Sequence, residues 1–381
     1  MNFDLTEDQL LVQNAVRGFA ESEIAPSAIE RDKEAKFPVE IIKKLGKLGF
    51  MGMMVSPEYD GAGLDTVSYA LAVMEISKVD ASVGVIVSVN NSLVCYGIEK
   101  WGTDFIKEKY LKPLAKGEKL GAFALSEPEA GSDATRQQTF AAKDGNKWVI
   151  NGTKNFITNG NSADYYLVMA QTDKEKGHHG ISTFIVEKGT PGFTHGVKED
   201  KLGIRSSDTC SLSFENCEVP EENIVWEIGK GFNFAMNTLN GGRIGIASQA
   251  VGIAEGSLNA ARKYALTRKT FGTEISNYQA IQFKLADMAV KVEAAKLLTL
   301  KAAAFKDADR NYVKEAAMAK LYASKIAVEC ALEAIQIHGG YGYVREYQVE
   351  RFLRDAKITE IYEGTSEIQR IVIARELLKS S

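Results

Sequence analysis

The 381-residue sequence has only four cysteines, seven prolines, four histidines and three tryptophans. Cys95, Cys210, Cys217 and Cys330 are scattered and form no C-x-x-C pair, so neither a disulfide framework nor a structural zinc site is expected. The four thiols read instead as small packing residues. There is no excess of basic charge: 46 Lys and Arg stand against 50 Asp and Glu, a net charge of -4. A polyanion binder needs a basic stripe to displace phosphate counterions, so nucleic acid is not an expected partner. Long apolar runs are also missing. The best candidate, residues 81–98, is interrupted by Asn90, Asn91 and several serines, and no membrane span is expected. The opening Met1-Asn2-Phe3-Asp4 stretch has neither the basic region nor the apolar core of a signal peptide, which makes a cytoplasmic protein the expectation. No G-x-G-x-x-G, Walker-type loop or G-x-S-x-G elbow occurs. Common dinucleotide, NTPase and hydrolase sites are therefore absent in their usual form.

What is present is an ordinary globular composition, 45% hydrophobic and 25% charged, over a length that calls for two or three domains. Thr6 and Gln9 have capping-box spacing, and Val12, Ala15, Val16, Phe19 and Ala20 recur at helical intervals. Helical texture continues to about Lys116. Residues 147–158, 164–172, 180–187 and 209–216 are β-rich runs separated by Gly, Asn, Asp and Pro, which predicts an antiparallel β domain. From about Gly231 the helical period returns. Ile281, Leu285, Met288, Val292 and Ala295, then Ala317, Leu321, Ser324, Val328, Ala331 and Ile335, alternate steps of four and three. Two long helices of a bundle follow from that spacing. The fold class is α+β and multidomain, with expected domains at 1–118 (helical), 119–228 (antiparallel, barrel-like β) and 229–381 (a four-helix bundle). The His178-His179 pair, beside a charged run, reads as a solvated loop.

Two segments carry unusual chemistry. Leu125 to Asp133 combines hydroxyls, Pro128 and Gly131. It is either a tight turn between strands or a loop that brings backbone N–H groups close to a ligand. Near the end, Glu363 lies between Tyr362 and Gly364, followed by Thr365 and Ser366. In an apolar setting a carboxylate there can have its proton affinity raised toward that of a general base. The plainer reading is a loop glutamate ahead of a helix capped by Thr365 or Ser366, and the two readings are compatible.

The run from Ala124 to Asp133, and the run Gln336-Ile337-His338-Gly339-Gly340-Tyr341-Gly342-Tyr343 with Glu346, Arg351 and Asp355, match two long signatures. On these the chain resembles the acyl-CoA dehydrogenase family over essentially its whole length, the short-chain (butyryl-CoA) type most of all. The resemblance implies FAD held without a dinucleotide fold. Phe123, Leu125, Ser126, Phe156 and Thr158 would surround the isoalloxazine. Arg268, Phe271, Gln279, Gln336, Gly339 and Gly340 would reach a neighbouring subunit's cofactor, with Thr365 and Glu367 closing over the same molecule. It further implies a homotetramer built as a dimer of dimers, with electrons passed to an electron-transferring flavoprotein. No metal is implied.

The implied reaction is α,β-dehydrogenation of an acyl-CoA thioester to the trans-2-enoyl-CoA in fatty acid β-oxidation. Glu363 matches the family's base, and its backbone N–H would help polarise the thioester oxygen. Some members carry the base at the position of Gly242, which cannot abstract a proton. Ser132, Asn240, Arg243 and Gly364 match positions that contact the substrate. Asn240 stands where short-chain members usually have Asp, Trp226 where glycine is common, and Arg136 where a small residue is expected. The alternatives are a branched- or medium-chain dehydrogenase within the family, an acyl-CoA oxidase that discharges its electrons to oxygen, or a non-catalytic flavoprotein scaffold outside it. Oxidases of this fold are usually much longer, and nothing in this sequence supplies the extra domain.

Overall fold

The computed structural model describes residues 4–379. Residues 1–3, part of the stretch read for targeting signals, and 380–381, the end of the expected third domain, lie outside them. The first helix, Glu7–Phe19, begins as its sequence predicts. Thr6 Oγ1 accepts from the Gln9 N–H (3.2 Å), and Gln9 Oε1 accepts from the Thr6 N–H (3.0 Å).

Among the described residues one helical segment, Ala81–Trp101, is long and apolar enough to cross a membrane, but 94% of its apolar window is buried inside the fold. Its two asparagines explain the placement. Asn91 Oδ1 accepts from the Met53 N–H (2.7 Å), while its amide donates to Phe50 O and Val87 O. Asn90 donates to Met51 O and accepts from the Gly121 N–H (3.0 Å). Each buried amide thus joins this segment to another part of the protein. A wide π turn, Val89–Cys95, lies at the same place.

The middle region is one sheet of eight strands: β1 (Gly121–Ala124), β2 (Phe140–Asp144), β3 (Lys147–Thr158), β4 (Tyr165–Gln171), β5 (Ile181–Glu187), β6 (Phe193–His195), β7 (Thr209–Pro220) and β8 (Ile224–Val225). The path runs β6-β7-β3-β2-β4-β5-β8, with β1 attached to β4. It differs from a purely antiparallel barrel in two ways. β1 runs parallel to β4 from Gly121/Tyr165 to Ala124/Val168 and β2 meets β4 in parallel at Phe140/Gln171, and the strand path has two ends. β1 has four residues, too few for periodicity to reveal.

Behind the sheet stands the central helix, Gly231–Thr267, flanked by Gln279–Asp307 and Val313–His338. Its middle, residues 241–254, is buried on every side, with Ile244, Val251 and Ile253 all at 0% exposure. Each such side chain contributes about 1.5–3 kcal/mol. Met288, Val292 and Ala295 are buried as their spacing predicts. On Val313–His338 the buried set is broader than the predicted stripe. Lys320, Ala323, Ala327 and Ala334 are buried, while Leu321, Val328 and Ile335 are only partly so. This helix packs against neighbours on more than one side.

The second signature fastens the regions together. Asp355 Oδ1 accepts from the Ile204 N–H (2.6 Å), Arg351 donates to Val79 O (2.6 Å), and Arg354 pairs with Asp32 (2.7 Å) and Glu350 (2.6 Å). Trp226 has a left-handed backbone (φ +69), which is why glycine suits the position. Here its ring stacks on Trp101 at 5.4 Å, and Trp101 meets Phe234 of the central helix at 5.2 Å. All four cysteines are buried and free, and burial pushes the Cys210 and Cys330 thiols up to about 12.

Candidate active site

Glu363 lies in the turn between helices Val349–Thr359 and Ser366–Leu378. Thr365 Oγ1 caps the second helix by accepting from the Ile368 N–H (3.3 Å), so the capping reading holds. The turn is left-handed twice over, with φ +50 at Glu363 and +92 at Gly364. At that φ a side chain on Gly364 would be strained, and its Cβ would also press on Gln369 Nε2 from 2.6 Å, so glycine suits the position. The Glu363 side chain reaches the central helix at Gly242, where any Cβ would fall on Oε2 and lie 2.7 Å from Leu93 Cδ2. The missing side chain at Gly242 is the space the carboxylate occupies.

Oε2 of Glu363 is buried without a hydrogen-bond partner among the described residues. Burial lifts this carboxyl to about 7, with Lys320 and then Arg243 offsetting part of the effect. A carboxyl poised there exchanges its proton near neutral pH. Three polar residues outside the sequence reading, Lys320, Gln369 and Gln249, shape the turn. Lys320 Nζ donates to Gly364 O (2.7 Å), Gln369 Nε2 donates to Gly364 O (2.8 Å) and Glu363 O (3.3 Å), and the Tyr362 hydroxyl donates to Gln249 Oε1. Their only sequence signal is a polar residue at a buried register position. Arg243 is buried, donates to Asn240 Oδ1 (2.6 Å), and is brought down to about 10 by burial.

The first-signature loop forms the tight turn that was one of the two readings its sequence allowed. Glu127 and Ala130 exchange N–H···O bonds of 3.1 Å around a tight turn, and a Cβ at Gly131 would meet nothing within 4 Å. Leu125 and Ser126 lie beside β3: the Asn155 N–H donates to Ser126 O (2.8 Å), and Lys154 Nζ donates to Leu125 O (3.2 Å). A bulge between Lys154 and Ile157 gives Phe156 a left-handed backbone (φ +57) and leaves its ring 66% exposed. Phe123 stacks toward Phe234 at 6.4 Å. Thr158 and Ser126 are half-buried, whereas Ser132 and Arg136 face solvent. Phe123, Leu125 and Ser126 are thus brought alongside the segment of β3 that carries Phe156 and Thr158.

A second group stands apart. Arg268 lies 5.3 Å from the Tyr341 ring and, with Gly339 and Gly340, lines a groove of about 650 Å³ at the far end of the bundle. Phe271, at a hairpin tip with φ +51, is 100% exposed. Gln279 and Gln336 are exposed, as is Glu367, which pairs with Arg370 at 3.5 Å.

Residues 6–118, 122–217 and 229–378 match the N-terminal, middle and C-terminal domains of acyl-CoA dehydrogenases. The chain belongs to the acyl-CoA dehydrogenase family. It is 52% identical over 379 residues to a short-chain specific acyl-CoA dehydrogenase of Clostridium acetobutylicum, covering all of both chains. It is also 52% identical to the mitochondrial short-chain specific enzyme of Rattus norvegicus, covering 99% of this chain and 92% of that one. Butyryl-CoA dehydrogenase of Megasphaera elsdenii superposes with a TM-score of 0.98 at 48% identity, with full coverage of both. A chain from structural work on the electron transferring flavoprotein of Acidaminococcus fermentans superposes at 0.99, with 52% identity and full coverage.

Proposed function

We propose that the protein oxidises a short-chain acyl-CoA at its α,β bond, using FAD, and passes the electrons to an electron-transferring flavoprotein. The observation that carries this reading is the Glu363 carboxylate, seated against Gly242 with one buried, unpartnered oxygen and a proton affinity near neutrality. Full-length similarity to short-chain enzymes supports the substrate class. Leu93 beside Gly242, and the buried Tyr69–Ser88 hydrogen bond (2.8 Å) packed on Gly245, favour a shallow acyl pocket.

The residues fit a flavin dinucleotide. Phe156 offers an exposed ring beside the half-buried hydroxyls of Ser126 and Thr158, while Phe123 and Leu125 supply apolar wall. Arg268, Gly339 and Gly340 present a cation and open backbone to the second groove, where a Cβ on either glycine would touch nothing within 4 Å. When bound, FAD supplies the two-electron acceptor for the hydride leaving the β carbon. Glu363 removes the α proton, and its own backbone N–H is a candidate donor to the thioester oxygen as negative charge develops there. Asn240, Arg243, Gly364 and Ser132 are assigned to the thioester and its CoA portion. The Arg268 group lies away from the Ser126 group, which supports the reading, implied by the family resemblance, of a cofactor shared between two subunits. A homotetramer in the cytoplasm completes the proposal.

Anaerobic addition of butyryl-CoA is expected to bleach the flavin band of the wild type. Glu363→Gln should bind FAD and thioester yet fail to bleach, a loss of about 10²–10⁴-fold in reduction rate. Normal bleaching in that variant would place the base elsewhere.

A further inference from the structure

Lys320 makes poor sense as a stabiliser of the fold. It is at 0% exposure on helix Val313–His338, and among the described residues it has no carboxylate within ion-pair distance. Its one acceptor among the described residues is the Gly364 carbonyl, at 2.7 Å. A buried ammonium with a single carbonyl acceptor is a poorly compensated charge, and burial lowers its proton affinity to about 8. Its position is informative. It grips the residue after Glu363, in a turn whose two left-handed residues have no regular backbone ladder to hold them. Gln369 grips the same carbonyl from the following helix, and Ser324, one turn along from Lys320, donates to Thr359 O (2.8 Å) where the preceding helix ends. Of the two bonds from helix Val313–His338, that of Lys320 reaches the residue next to Glu363, whereas that of Ser324 only closes the end of the preceding helix.

From this juxtaposition we infer that Lys320 is a positioning residue for the dehydrogenation: its bond to Gly364 O fixes the turn that aims the Glu363 carboxylate, and its ammonium faces that turn from the neighbouring helix. The inference rests on Glu363 being the base. The other charged and titratable groups facing Glu363 are Arg243 from the central helix, Tyr69 from the Thr66–Ser77 helix and the adjacent Tyr362. Glu360 and Glu367 face Lys320 itself. Arg243 alone therefore remains as a cation beside the base when Lys320 is neutralised.

The test compares three variants of the FAD-loaded enzyme. Lys320→Met should keep FAD affinity and the KM for butyryl-CoA within about threefold, lower kcat by roughly tenfold or more, and move the acid limb of the kcat/KM profile to higher pH. Lys320→Arg restores the charge with different reach, so the acid limb should return while kcat stays below wild type. Ser324→Ala removes a bond of the same kind from the same helix and should leave both unchanged. Infrared detection of the protonated Glu363 carboxyl, identified by its loss in Glu363→Gln, reads the same shift without turnover. Wild-type kcat and acid limb in Lys320→Met would overturn the inference, as would an equal kcat loss in Ser324→Ala. If Lys320→Met does not fold, Lys320→Arg decides: unchanged kcat overturns the inference. Full turnover in Glu363→Gln would instead overturn the assignment of the base on which it rests.

Discussion

Two fully buried lysines of this chain each face a glutamate, and the two sites behave in opposite ways. Lys154 Nζ donates to Glu127 Oε1 (2.8 Å), Gln137 Oε1 (2.9 Å) and Leu125 O (3.2 Å), so all three of its protons are used. Glu127 also accepts from the Gln138 N–H (2.6 Å) and the Thr139 N–H (3.0 Å). Burial alone would raise this carboxyl, but Lys154 and the backbone donors hold it below its ordinary value. Lys320 instead spends its bond on a carbonyl, and Glu363 keeps an oxygen with no partner and a proton affinity lifted to about 7. The residue types are the same in both sites. The number of satisfied lone pairs decides which carboxylate is a rivet and which can take a proton.

The largest expected difference between the sites is in stability. Lys154→Met leaves the Glu127 charge buried and unpaired, an expected loss of about 3–5 kcal/mol in a urea unfolding experiment. Pairing it with Glu127→Leu should recover much of that loss, since an apolar pair requires no charge desolvation. A loss below about 1 kcal/mol for the single variant would mean that Glu127 is already neutral, and the contrast with Glu363 would fail.

The slope of stability with pH comes next. Glu363 is raised in the folded state, so between about 4.5 and 7 the folded protein binds a proton that the unfolded chain has released. Stability therefore falls as pH rises through that window, by at most about 3 kcal/mol from this group. Glu127 is lowered, so its contribution is present above its unfolded value and is lost as pH falls below about 4.5. Glu363→Gln should flatten the first slope and leave the second. An unchanged slope between pH about 4.5 and 7 would mean that Glu363 titrates as an ordinary exposed carboxylate.

Local signals made much of this legible from sequence. The Thr6–Gln9 capping box, the stripe through Met288, Val292 and Ala295, and the glutamate–glycine turn at 363–364 are all encoded within a few residues of one another. What escaped was long-range. Lys154 meets Glu127 across 27 positions, and Lys320 meets Gly364 across 44. A lysine in an amphipathic pattern reads as a solvated face until a partner is brought to it. β1 escaped because four residues carry no period and its parallel partner lies far along the chain. The exposed Phe156 ring depends on a bulge between β3 and β7 that neither strand betrays alone.

The smallest effect tests whether the unpartnered oxygen needs its particular place. At the Glu127 site position is over-determined, because five hydrogen bonds converge on the pair. At Glu363 the carboxylate is located by its carbonyl-clamped turn and by the absence of a side chain at Gly242. Gly242→Ala adds one carbon where Oε2 sits, so the carboxylate must rotate away from the central helix while the turn stays clamped. Helix propensity favours alanine over glycine by about 1 kcal/mol, which offsets part of the overpacking, so the unfolding midpoint should move little. Single-turnover reduction by butyryl-CoA should slow by about tenfold, equivalent to about 1.4 kcal/mol of transition-state stabilisation. An undiminished rate would mean that the base swings free of Gly242 when it works, and the contrast between a locked and a merely seated carboxylate would then lie in mobility rather than in hydrogen-bond count.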